Sequence, residues 1–142
     1  MRSRLLAALI FTFMTTLTTF ICYTVFLDAD ALWQILLAYA GSTFIGTLAF
    51  WYPVSRRSQT SRFGGAWIGI MITATTLIGF TVIRFTFRGD AAALLEWQTM
   101  LASLAYTFGY VGWVLTILNI VLGFLLAGTR PKVRYEARQA RP

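Results

Sequence analysis

Hydrophobic residues fill four long stretches of the chain, and short polar segments separate these stretches. They run roughly over residues 5–27, 32–52, 66–87 and 97–127. Each provides the ~20 apolar residues that a helix needs to cross a bilayer core about 30 Å thick. The first stretch is too long for the hydrophobic part of a signal peptide, so we expect it to be retained as a helix. The pattern predicts an all-α membrane protein with four transmembrane helices.

The second half of the chain has the same residue as the first half at several equivalent positions. At an offset of 60 residues, five positions of the first and third stretches are identical. At an offset of 64, six of fifteen positions match between residues 32–46 and 96–110. A fixed period is the signature of an internal repeat, although independent use of the same residues by two hydrophobic hairpins is an open alternative. The identical pairs are Ile10/Ile70, Thr15/Thr75, Thr16/Thr76, Leu17/Leu77 and Phe20/Phe80, then Trp33/Trp97, Gln34/Gln98, Leu37/Leu101, Ala38/Ala102, Thr43/Thr107 and Phe44/Phe108.

We therefore interpret the chain as two tandem helical hairpins, residues 1–53 and 66–128. A polar loop (54–65) joins them, and a basic tail (129–142) follows. Pro53 is expected to close the second helix, because a proline ring removes a backbone donor and disfavours further helix. Since each hairpin begins and ends on the same side of the membrane, the two copies share one orientation.

Basic side chains concentrate at one end of this predicted bundle. Ten of the twelve Lys and Arg residues lie before helix 1, between helices 2 and 3, or after helix 4. Such residues accumulate on the cytoplasmic side of membrane proteins. We therefore expect a bacterial inner-membrane protein with both termini in the cytoplasm. Basic residues beside a membrane also attract anionic lipid, so the tail is a candidate lipid-binding segment, whereas nothing in it predicts nucleic-acid binding.

Composition limits the chemistry that the chain can perform. The sequence is 58% apolar and 12% charged, has no histidine and has a single cysteine, Cys22, within the first stretch. An intrachain disulfide is impossible, and a metal or haem site lacks its usual ligands. No Asp or Glu lies inside the four stretches, so the carboxylates of proton-coupled transport and of hydrolytic active sites are missing. We expect no enzyme activity, no cofactor and no metal.

Threonines, glycines and other small residues recur along the predicted helices at helical spacing. Ladders of this kind let helices approach closely, and their hydroxyls can bond across the contact. The same groups could line a path for a substrate or ion, so helix packing and a path are alternatives. Asn119, an amide deep in the fourth helix, has the same two interpretations. The residues concerned are Thr12, Thr16 and Thr19, then Ala38, Ser42 and Gly46, then Thr73, Thr76 and Gly79, and Asn119.

Charged residues of both signs gather at the opposite end of the bundle from the basic loops. Arg84 takes the place of Thr24 in the first copy, so it breaks the internal symmetry. One interpretation is an interfacial ion-pair network with side chains that reach out to water. The other is an outward-facing site for an anion or a partner. The cluster comprises Asp28, Asp30, Arg84, Arg88, Asp90 and Glu96.

The layout of about 140 residues in two tandem hairpins, with both ends inside, resembles bacterial inner-membrane proteins built from such hairpins. It is similar to the proteobacterial antimicrobial compound efflux family over the whole length. That family carries His, Glu and Asn motif residues near its helix ends and an acidic residue in its first helix. Here the first helix has no acid and the chain has no His, so the resemblance implies the architecture and does not carry over efflux activity.

These observations favour a non-enzymatic accessory, scaffold or regulatory subunit of a larger inner-membrane complex. Its partners would be the lipid bilayer and other membrane subunits, or further copies of the chain. A small homodimeric transporter or channel is the alternative, with the threonine faces and Asn119 lining the path. A membrane immunity or stress protein, whose outer charged cluster meets an incoming ligand, is the third hypothesis.

Overall fold

The computed structural model describes residues 2–26, 32–56, 61–89 and 91–128. All regular structure in these ranges is helical, and four helical stretches of 22, 21, 26 and 31 residues are long and apolar enough to cross a membrane. The predicted all-α class is thereby confirmed. The elements are α1 (Arg2–Phe26), α2 (Leu32–Arg56), α3 (Arg62–Phe87), a 3₁₀ turn (Ala91–Leu95), α4 (Trp97–Thr107), a π-helical segment (Phe108–Gly112) and α5 (Trp113–Gly128).

Two helix boundaries differ from those predicted. The backbone of α2 remains helical to Arg56, three residues beyond Pro53, because a proline in a last turn removes one hydrogen bond without forcing the following residues out of the helix. The third helix begins four residues before the predicted start. Ser61 caps it, since its hydroxyl accepts a hydrogen bond of 3.1 Å from the backbone N–H of Gly64. A serine at this position satisfies one of the free amides of a first turn.

The long helices form a ring in which each packs beside its neighbours in sequence. α1 packs on α2, α2 on α3 and α3 on α5, and α5 closes the ring by touching α1. Successive helices are antiparallel, so the bundle has two distinct ends. We call the end where α1 begins and α5 finishes the terminus end. The opposite end, where α2 follows α1 and α4 follows α3, is the hairpin end.

Glycines bring the backbones of α3 and α5 into direct contact near the terminus end. A Cβ atom on Gly65 would lie 2.2 Å from the carbonyl oxygen of Gly123, and one on Gly69 would lie 2.1 Å from that of Asn119. Only glycine permits such an approach, because any side chain would collide with the opposite backbone. The inner half of the fourth span is therefore held tightly against α3, as small-residue contacts hold helices in membranes.

Apolar side chains fill the ring in two layers. Near the terminus end, Phe11, Trp51 and Ile72 are buried, and the rings of Phe11 and Trp51 lie 5.6 Å apart. Toward the hairpin end, Tyr39 stacks on Phe80, with ring centroids 4.3 Å apart. Between these layers the interior is polar, and that middle region contains most of the small residues singled out above.

The fourth span changes character at the π-helical segment. After this segment in sequence, α5 buries a regular stripe that includes Leu115 and Asn119. Before the segment, every residue of α4 except Thr107 is at least partly exposed. α4 contacts α3 but has no comparable contact with α1. A π turn shifts the register of a helix and is often found near functional sites, and here it separates a well-packed half from a loosely packed half.

Candidate functional site

Two cross-helix hydrogen bonds form the centre of the buried polar seam. The hydroxyls of Thr43 on α2 and Thr76 on α3 lie 3.1 Å apart. On the other side of α3, the Nδ2 amide of Asn119 donates to the Oγ1 atom of Thr73 at 3.0 Å. All four side chains are buried. α3 is thus joined by polar side chains to both of its neighbours, while the Oδ1 atom of Asn119 is buried without a hydrogen-bond partner among the described residues.

The threonines of the seam also donate to their own helices. Thr43 donates to the carbonyl of Tyr39 at 2.7 Å, and Thr76 donates to that of Ile72 at 2.8 Å. Three contacts therefore share two hydroxyl protons, so when one hydroxyl bonds across the helices, the other keeps its intrahelical bond. Bonding back to the preceding turn is the usual way for a helix to accommodate a buried threonine.

Small residues allow close approach between α2 and α3. A Cβ on Gly79 would lie 2.5 Å from the hydroxyl oxygen of Ser42, and one on Gly46 would lie 3.2 Å from Thr75. Ala38 is buried in the apolar layer beside Tyr39. The predicted small residues of these two helices therefore lie in helix contacts.

Four threonines in the middle of α1 lack the hydrogen bonds that the seam threonines of α2 and α3 make. The oxygen atoms of Thr12, Thr15, Thr16 and Thr19 are all enclosed, and none has a hydrogen-bond partner among the described residues. The sequence predicted Thr12, Thr16 and Thr19 on one face. In the structure, Thr15 and Thr19 are fully buried, whereas Thr12 and Thr16 flank the buried stripe and are partly covered.

At the hairpin end, Arg84 continues the bundle-facing stripe of α3. It follows Leu77, Phe80 and Thr81 at helical spacing, and these three residues are buried, so Arg84 points into the bundle and is itself half-buried. Long side chains on a helix lean toward its N-terminus, which directs the stem of Arg84 back toward Phe80.

Tyr23 of α1 and Tyr39 of α2 belong to the same buried cluster as Phe80, which lies one helical turn before Arg84. Tyr39 of α2 stacks on Phe80, and the ring of Tyr23 of α1 lies 6.4 Å from that of Tyr39. Tyr106 of α4, in contrast, is exposed. The Tyr39 side chain is fully buried, and its hydroxyl has no hydrogen-bond partner within the described ranges.

The predicted charged cluster is only partly visible. Asp28, Asp30 and Asp90 lie outside the described residues, as does the basic tail. Arg88 is exposed, and Glu96 accepts a hydrogen bond of 3.0 Å from the Thr99 hydroxyl. Neither arginine forms an ion pair with Glu96, which is the only carboxylate in the part of the chain that the structure describes.

Sequence reasoning did not select several residues that matter here. Thr15, Tyr39, Thr43 and Tyr106 were not among the candidates. A signal for Thr15 exists in the sequence, because Ala8, Phe11, Thr15 and Thr19 recur every three or four positions, as a buried helix stripe does. No comparable signal reveals Tyr106, since its surroundings depend on where α4 lies.

Comparison of the chain with protein-family models, with curated proteins and with solved structures gives no match. The likeness to tandem-hairpin membrane proteins is therefore one of architecture, carried by four long apolar helices. Within the described residues, no group of three or more His, Cys, Asp or Glu side chains is placed to hold a metal ion.

Proposed function

We propose that this protein is a non-enzymatic accessory or regulatory subunit of a larger complex in the bacterial inner membrane. The observation that carries the proposal is the uncovered face of α4. In α2, the face formed by Ala38, Tyr39, Ser42 and Thr43 is buried between α1 and α3. The face of α4 at the matching positions has α3 on one side and no comparable neighbour on the other.

The composition of this α4 face fits a protein contact. Ala102, Ala105 and Gly109 are exposed at helical spacing, and a Cβ on Gly109 would have nothing within 4 Å. Tyr106 and Tyr110 stand beside them, with ring centroids 4.5 Å apart. Small residues next to aromatic side chains allow another transmembrane helix to approach closely. Three of these five residues belong to α4 and two, Gly109 and Tyr110, to the π-helical segment that continues it. We call the set the α4 face and propose that it receives a helix of a partner subunit.

The proposed orientation places the termini in the cytoplasm and the hairpin end outside. It rests on the basic residues at the terminus end, in accordance with the positive-inside rule. Reporter fusions after residue 142 and within residues 27–31 test it. We expect a reporter that is active only in the cytoplasm to work at the first position and to fail at the second. The opposite pattern would reverse the proposed orientation.

Photo-crosslinking in intact membranes tests the proposed partner contact. A photoreactive phenylalanine analogue would replace Tyr106, and the matched control would carry it at Phe13 of α1. Both positions are aromatic and well exposed, at 54% and 66%. We expect Tyr106 to give a discrete crosslinked protein and Phe13 to give none, because Phe13 would face lipid. Mass spectrometry then identifies the product as a different subunit or a second copy.

Equal crosslinking at both positions would indicate random collisions and would contradict the proposal. Extraction in mild detergent supplies an independent measurement. We expect the chain to migrate with a larger assembly, and recovery as a monomer alone, together with no product at Tyr106, would exclude an accessory role.

A second function is supported by one specific observation. The enclosed hydroxyls of α1 lack partners among the described residues, and unsatisfied buried hydroxyls are unfavourable unless water or a solute reaches them. We therefore retain a small homodimeric transporter or channel as the alternative. Flux of small polar solutes into proteoliposomes tests it, with Thr15→Val and Thr16→Val as variants. A path would lose flux in these variants, whereas protein-dependent flux that does not change, or no flux at all, would argue against it.

A further inference from the structure

Arg84 is placed where a positive charge requires a counterpart. It lies on the bundle-facing stripe of α3 and is half-buried, and its guanidinium group forms no hydrogen bond or ion pair with any of the described residues. Charged side chains within a membrane bundle usually pair with another group or mark a functional site. Among the described residues, the side chains of the neighbouring cluster are apolar, aromatic and tyrosine groups, which carry no negative charge.

The neighbouring tyrosines provide hydrogen-bond donors beside this charge. The Tyr39 hydroxyl is fully buried and unpartnered within the described ranges, and Tyr23 stands next to it on α1. An arginine guanidinium is a planar fork of donors that matches the oxygens of a carboxylate or phosphate. Phenol hydroxyls beside it can donate to the same oxygens. The set therefore offers donors and one positive charge, as a site for an oxyanion does.

Access to this set is possible from the hairpin end. Arg84 is partly exposed there, and α4 leaves the region loosely covered because it has no contact with α1 comparable to that of α5. The terminus end is closed by the glycine contact between α3 and α5. A group that entered from the hairpin end would meet Arg84 first and then the tyrosine side chains, which lie closer to the middle of the bundle.

We propose that Arg84, Tyr23 and Tyr39 form a binding site at the hairpin end for a single oxyanion, a phosphate or carboxylate group. The anionic group could belong to a lipid headgroup or to a free solute. This site lies in the bundle interior, apart from the α4 face, so it does not depend on the partner contact proposed above.

The experiment uses the full-length protein purified in a neutral detergent. In one arm, the thermal unfolding midpoint is followed as inorganic phosphate replaces chloride at constant ionic strength. In the other arm, native mass spectrometry compares the number of phosphatidylglycerol molecules that stay bound to the protein with the number of phosphatidylcholine molecules that stay bound. Ligands that bind the folded state raise the unfolding midpoint. We expect phosphatidylglycerol, phosphate or both to bind the wild-type protein, and the arm that responds identifies the source of the anionic group.

Arg88→Gln is the matched control for Arg84→Gln. Arg88 is one helical turn away, carries the same charge and is exposed. We expect Arg84→Gln to weaken binding about tenfold or more, since a charge-assisted hydrogen bond is lost, and Arg88→Gln to leave binding unchanged. Equal losses in the two variants would mean general surface attraction and would overturn the proposal. Absence of binding in both arms with the wild-type protein would overturn it as well.

Tyr39→Phe keeps the test decisive if Arg84→Gln fails to fold. It removes one hydroxyl that has no partner among the described residues and preserves the ring that stacks on Phe80. We expect a loss of affinity of about two- to tenfold from one neutral hydrogen bond, with the unliganded unfolding midpoint unchanged or raised. Unchanged affinity in both Tyr39→Phe and Tyr23→Phe would exclude the tyrosines from the site.

Discussion

The second helices of the two hairpins, α2 and α4, have matching residues in different surroundings. Thr43 and Thr107 occupy equivalent positions of the proposed repeat, and both are buried. Around Thr43, the residues at the adjacent positions are buried between α1 and α3. Around Thr107, Ala102, Tyr106 and Tyr110 are exposed. The same pattern of small and hydroxyl residues is therefore enclosed in one helix and open in the other.

This difference shows that neighbours, and not local sequence, determine which face of a transmembrane helix is buried. α2 packs against both α1 and α3, whereas α4 packs on α3 and has no comparable contact with α1. The π-helical segment after Thr107 coincides with the change, since α5 beyond it returns to close packing with α3. Substitutions in the well-packed region should therefore have larger effects than matched substitutions in α4 or at its junction with α5.

The largest effect is expected at the glycine contact between α3 and α5. Gly65→Ala would place a methyl group 2.2 Å from the carbonyl oxygen of Gly123, so the two backbones would have to separate. We expect a loss of about 1–3 kcal/mol in the free energy of unfolding, the usual range for overpacking. The control is Gly109→Ala, where an added methyl group meets nothing within 4 Å. Denaturation in mixed micelles measures both, and similar losses would show that α5 is no more tightly held than the π-helical segment.

A smaller effect is expected for the buried amide. Asn119→Leu removes the hydrogen bond to Thr73 and should lower the free energy of unfolding by about 1–2 kcal/mol, as for other interhelical polar contacts. Gln98→Leu is the matched control, because this amide is exposed on α4. We expect its unfolding midpoint to stay within error of the wild type. If Asn119→Leu were neutral or stabilising, the bond to Thr73 would not hold α5 in place.

The smallest effect separates the two equivalent threonines. Thr43→Val removes an interhelical contact with Thr76 and should cost about 0.6 kcal/mol, the average for such bonds in membranes. Thr107→Val removes only a bond to the carbonyl of Ser103 on the same helix, and we expect no measurable change. A double-mutant cycle of Thr43→Val and Thr76→Val isolates the pairwise energy. A coupling energy of zero would show that the hydroxyl pair contributes nothing to the α2–α3 contact.

Several features could be predicted from particular residues. The four spans follow from uninterrupted apolar stretches, and closeness of α3 to another helix follows from the spacing of Gly65 and Gly69. Arg84 stands out in the sequence because the equivalent position of the first half is occupied by Thr24, an uncharged residue. The partner of Asn119 and the pairing of Thr43 with Thr76 were not predictable, because each depends on the rotation of two helices about their axes.

By itself, the sequence determined the class of protein, the number of spans and the separation of charge between the two ends, because these depend on how single residues partition between water and lipid. Only the tertiary structure decided which hydroxyls meet, which face of α4 is left uncovered and which side chains surround Arg84. Lipid tails are as apolar as the helices, so hydrophobicity does not specify which helix faces another. That choice is made by glycine contacts and a few buried hydrogen bonds between residues far apart in the chain.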